Sequence, residues 1–80
     1  MSTDTITIYV RLLNEGTDVR RPTTGVRVSG DVFRVEPTAD YDPDTEEWEF
    51  PPGSEVVCAR EVRNGVSLWI ADKLAANAHV

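Results

Sequence analysis

Between residues 37 and 54 the chain carries four of its five prolines and a dense run of carboxylates. Proline has no amide to give to a sheet ladder, and repeated negative charge resists two-sided burial, so this stretch is expected to be mostly exposed connection and not a central strand. The core must then come from short apolar runs on either side of it. Charge follows the same boundary. Residues 36–55 hold eight of the fourteen acids and no Lys or Arg, while the other sixty residues carry six acids against eight bases. The overall charge of −6 therefore belongs to one segment.

Eighty residues make one domain, residues 1–80, because a chain of this size buries only roughly 60–65% of its unfolded surface and cannot be divided into two cores. Residues 5–13, TITIYVRLL, alternate so that Ile6, Ile8, Val10 and Leu12 share one face, which predicts a first strand. Turn formers at residues 14–18 and Pro22 mark a loop or irregular edge through Gly25, with the core resuming at Val26. Residues 26–29 and 32–36 alternate around Gly30-Asp31 and predict a hairpin that turns Phe33 and Val35 inward and Arg34 outward. Residues 55–63 regain strand character, with Val56, Cys58 and Val62 on one face although Arg60 shares it. Asn64-Gly65 is a hairpin signal, and residues 66–70 return as a fifth strand. The tail, residues 71–80, has helix formers but is too short for an independent helix, so it docks or frays. The fold class is all-β: a small five-stranded barrel with an acidic loop at 37–54.

Composition excludes several roles. A single cysteine, Cys58, cannot form an internal bridge, which points to a reducing cytoplasm. The amino terminus lacks the pattern of a signal peptide, and no run approaches the ~18 apolar residues of a membrane span. Asp40, Asp42 and Asp44 have the spacing that begins a calcium loop, but Thr45 stands where the turn glycine belongs and Pro51 where the closing glutamate belongs. Glu46, Glu47 and Glu49 would need a concave, proton-shifting site to act as an acid–base pair. Cys58 lies in an apolar strand, and His79 near the end is poorly placed to activate it. The expectation is a protein without catalytic residues, cofactor or metal.

The five short strands, the acidic loop and the run Glu47-Trp48-Glu49-Phe50-Pro51-Pro52-Gly53-Ser54-Glu55-Val56 resemble a Src-homology-3-type barrel and its diverging turn. The strand order departs from the eukaryotic signalling domain, and the tandem tryptophans and Pro-Tyr pair are missing, so proline-motif binding is not carried over. A pattern of Val10-Arg11-Leu12-Leu13-Asn14-Glu15-Gly16-Thr17-Asp18-Val19, then Arg21-Pro22, Phe33-Arg34-Val35, Glu46-Glu47-Trp48-Glu49-Phe50, Pro52-Gly53 and Cys58 is similar to a group of small bacterial barrel proteins. That resemblance implies the fold and brings no activity with it. Arg20, where an aromatic is typical, and the Ala-rich tail depart from the group's pattern.

Trp48 and Phe50 can fold back over the barrel mouth as core, whereas Trp69 suits packing or tail docking. If the rings stay outside, Tyr41, Trp48 and the acids Glu46, Glu47 and Glu49 form a surface for a basic protein segment through ion pairs and cation–π contacts. The leading expectation is such a non-enzymatic interaction module. A nucleic-acid-binding face of Arg11, Arg20, Arg21, Arg27 and Arg34, and a structural homo-oligomer joined at a strand edge, are the alternatives.

Overall fold

The computed structural model describes residues 4–14 and 19–75. They form β1 (Thr5–Arg11), β2 (Arg20–Ser29), β3 (Val32–Val35), β4 (Glu55–Arg63) and β5 (Val66–Leu74). Each strand pairs antiparallel with the next, and a short parallel contact of Ile8 with Trp69 and Tyr9 with Ile70 closes the sheet into a barrel. An SH3-like barrel fits this all-β arrangement.

The alternation in β1 produces its inner face directly: Ile8 and Val10 are fully buried, and Ile6 and Leu12 pack against the core from its two ends. Phe33 and Val35 of β3 are likewise buried, and Arg34 between them is exposed. The turn at Gly30 takes φ 46°, and Asn64 and Gly65 take φ 51° and 79°, the left-handed pair that a two-residue hairpin requires.

Three boundaries differ from the sequence expectation. First, residues 20–25 are strand, not loop. Leu12 donates its N–H to the Val19 carbonyl (2.8 Å) and Arg27 donates to Asp4 (2.9 Å), both on the register that pairs Tyr9 with Pro22. Hydrogen-bonded and non-bonded pairs alternate along an antiparallel ladder, so Tyr9–Pro22 is a non-bonded pair. The proline nitrogen thus faces away from β1, at a level that β3 does not reach, since β3 pairs with β2 only from Gly25 onward. Second, Ala71–Leu74 continue β5 alongside β4 and do not leave the sheet as a tail, because Val56 and Val57 still offer partners at Leu74 and Lys73. The last part of the expected tail, residues 76–80, lies outside the described residues, as do residues 15–18. Third, Val62 does not face the core. It is 66 % exposed, because β4 and β5 run on past the barrel as a two-stranded arm.

Gly25 belongs to the inner face. A Cβ there would stand 2.8 Å from Cγ2 of Ile8, so the absent side chain is the space that Ile8 fills.

Candidate functional site

The acidic segment joins β3 to β4, and the backbone fastens it at three places. Leu13 donates to the Glu47 carbonyl (2.7 Å) and Glu49 donates to the Arg11 carbonyl (2.9 Å), which lays Glu47 to Glu49 beside the end of β1, with Leu12 and Trp48 bridged. Further on, Val35 donates to Ser54 and Gly53 donates back to Val35, both at 2.8 Å, with Gly53 at φ 95°. Between these clamps and β3, two consecutive turns form. Tyr41 donates to the Thr38 carbonyl, and Thr45 and Glu46 both donate to the carbonyl of Asp42, whose carboxylate also accepts from the Asp44 amide.

This anchoring decides where the rings go. Trp48 is 3 % exposed and Phe50 8 %, both within the barrel core, so Trp48 is not a surface contact residue. The cause is the clamp on either side of it: with Glu47 and Glu49 paired to β1, the residue between them turns to the face opposite theirs, which is the inner one. A barrel of eighty residues also has few large side chains to close its mouth. Tyr41 is half-buried and meets the Trp48 ring edge-on at 4.8 Å between centroids. The two aromatic residues expected to greet a partner together therefore greet each other.

The acids divide by role. Glu46 accepts the Trp48 indole N–H (2.9 Å) and lies 3.6 Å from Arg21 Nε. Asp40 accepts from Arg21 at 2.6 Å, and that hydrogen bond, with smaller help from Thr38, holds its carboxyl below the usual range. Glu49 faces Arg11 at 3.9 Å, and Glu47 accepts from the Asn14 amide. Asp42, Asp44 and Glu47 are exposed. Glu46 and Glu47, with Asp44, Thr45, Pro43, Leu13 and Asn14, line a hollow of about 260 Å³. Its walls are anionic and part of its lining is apolar. Among the described residues no three His, Cys, Asp or Glu side chains come together in an arrangement that could hold a metal ion, which includes Asp40, Asp42 and Asp44.

Of the five arginines expected on one face, Arg11 and Arg20 are cross-strand neighbours, and each of the five lies against a carboxylate. Arg11 meets Glu49, Arg20 meets Glu61 (2.8 Å), Arg21 meets Asp40 and Glu46, Arg27 meets Asp4 (3.4 Å) and Arg34 meets Glu36 (2.9 Å). Cys58 is 3 % exposed, and burial, with the nearby Asp31 charge second, pushes its thiol up to about 11. Trp69, half-buried, packs its ring 6.2 Å from Phe33 and carries the Arg60 guanidinium at 6.0 Å. Sequence reasoning missed the Arg21–Asp40–Glu46–Trp48 cluster. Its only signal was the proximity of Arg20-Arg21 to a turn-rich stretch, which names no partner 19 residues away.

No protein-family model, no curated protein and no solved structure matches this chain.

Proposed function

We propose that the protein is a small non-enzymatic interaction module whose acidic loop receives a basic segment of another protein. The observation that carries this reading is the division of labour among the acids. Asp40, Glu46 and Glu49 are bound to arginines of β1 and β2, Asp40 while its carboxylate still faces solvent, and the outer set, Asp42, Asp44 and Glu47, stands exposed on a backbone fastened at both ends. Carboxylates held by a fixed backbone lose little freedom on binding, which favours selective recognition of a cation without any chemical step. The hollow beside Asp44, Glu46 and Glu47 offers Leu13 to the stem of an Arg or Lys and carboxylates to its head. Trp48 supports this surface from below, and Tyr41 supplies the ring edge next to it.

Several features weigh on the same side. The closed thiol of Cys58 is a poor nucleophile. Arginines already paired with the chain's own acids have less to give to phosphates, which disfavours the nucleic-acid alternative. The test is titration with an Arg/Lys-rich peptide at low salt. Neutralising the outer set, Asp42→Asn with Asp44→Asn and Glu47→Gln, is expected to weaken binding by about three- to a hundredfold, three exposed pairs being worth ~0.2–1 kcal/mol each. Trp48→Phe, which removes the indole N–H that Glu46 accepts, is expected to weaken it less than the triple substitution does. Affinity that ignores the triple substitution, or no affinity for cationic peptides at all, would remove the reading.

A further inference from the structure

The β4–β5 arm has an open edge. Cys58 donates its N–H to the carbonyl of Asp31 in the β2–β3 turn (2.9 Å), and beyond that point no strand among the described residues lies against this side of β4. From Cys58 to Arg63 the pairing with β5 is regular, so backbone groups alternate between the two edges. Ala59, Glu61 and Arg63 bond to β5. Arg60 and Val62 turn their N–H and C=O groups outward, next to a Val62 side chain that is 66 % exposed. An edge of this kind is a template for another strand.

We infer that this edge pairs antiparallel with the same edge of a second copy of the chain, in the register that sets Val62 opposite Val62. Three two-fold registers use the outward groups near the middle of the arm, and charge and space separate them. Centring on Glu61 opposes two carboxylates and drives the second copy's Asn64–Gly65 turn into the position where Asp31 already accepts from Cys58. Centring on Arg63 opposes two guanidiniums. Centring on Val62 sets Glu61, which already meets Arg20 (2.8 Å) and Arg63 (3.5 Å) of its own chain, against Arg63 of the second copy, twice by symmetry, extending that ion-pair cluster across the seam and burying the two exposed valines together. In that register the second copy's turn lies opposite Ala59 and Arg60, stopping one residue short of the occupied Cys58. The outer edge of β5 is less suited, because Trp69 and Ile70 are already paired with β1 and only three residues of the arm remain free there.

Val62 and Ser67 form a non-bonded pair of the hairpin, so Val62→Pro removes a donor that only the second copy uses. Sedimentation equilibrium of the full chain over a range of concentrations, with circular dichroism melts as the folding control, tests the inference. Wild type is expected to show a reversible dimer and Val62→Pro a monomer of unchanged fold. Arg63→Glu and Glu61→Arg, which set like charges opposite, are each expected to weaken self-association by about tenfold. An equimolar mixture of the two restores opposite-charge pairs and is expected to associate about as well as wild type. Should either substituted hairpin fail to fold, the other single variant still decides the charge prediction. A wild type that stays monomeric at every concentration, a dimer that Val62→Pro leaves intact, or a mixture no stronger than its components would overturn the inference. Capture of unrelated extended peptides by the same edge, without self-association, would do so as well. None of these variants touches the acidic loop, so the peptide titration and the sedimentation experiment fail or succeed independently.

Discussion

Gly25 and Ile8 define how tightly the barrel is drawn at one point. Gly25→Ala introduces a Cβ 2.8 Å from Ile8 Cγ2 in a fully buried setting, so a cost of about 1–3 kcal/mol is expected from overpacking despite the small gain from stiffening the unfolded chain. Urea denaturation of Gly25→Ala alone and combined with Ile8→Ala, which removes the crowding Cγ1, Cγ2 and Cδ1 atoms, measures it, with the double variant expected to lose less than the sum of the two single losses. Trp48→Ala should be far more damaging, about 3–5 kcal/mol, since it empties the barrel mouth and removes the indole N–H that Glu46 accepts. Cys58 offers a third test. Its thiol is pushed up to about 11 from an ordinary 9.0 and is shielded from solvent, so alkylation by iodoacetamide at neutral pH should be slower than that of a free cysteine by about a hundredfold or more. The same raised value means that the stabilisation from burying the neutral thiol is complete below pH 9 and is lost as pH rises toward 11.

Among the elements, strands whose residues alternate cleanly are legible in the sequence. β1, β3 and the Asn64-Gly65 turn follow from period-two patterning and left-handed turn residues. The misreadings share one cause: a local signal was overruled by a neighbour distant in sequence. Pro22 marks an edge, but the edge is one side of a strand whose other side bonds to β1. Ala71–Leu74 read as helix formers, yet β4 supplies a ladder for them. Val62 keeps the inward parity of Cys58, but the barrel ends before it. For Trp48 the sequence left core and surface both open, and the pairing of Glu47 and Glu49 with β1, invisible in the letters, decides for core. Placing a proline on the bonded side of the β2 ladder should expose this logic: Thr23→Pro, which removes a backbone donor aimed at β1 and the Oγ1–H bond to the Glu36 carbonyl, is expected to cost about 3 kcal/mol or more. Pro22→Ala should change stability by less than about 1 kcal/mol. Thermal melts of the two variants make the comparison.

At the scale of the molecule, the acidic segment is a wall of the barrel as much as a loop. Its carboxylates neutralise Arg11 and Arg21, its tryptophan fills the core, and its three outer acids contribute −3 to the net charge of −6. Because Arg21 depresses the Asp40 carboxyl, that contact stabilises the fold above the unfolded carboxylate range, and the contribution fades as pH falls through the lower folded value. Asp40→Asn should therefore flatten the acid limb of the stability profile below about pH 4 while leaving its shape near neutrality unchanged. Amide and indole hydrogen exchange tests the attachment of this segment most directly. If the segment is part of the barrel, the Trp48 indole N–H and the Glu49 amide exchange only with global unfolding, at the rates of Val10 and Val35. Exchange of both at the fast rate of solvent-facing turn amides, with the barrel strands still protected, would contradict it.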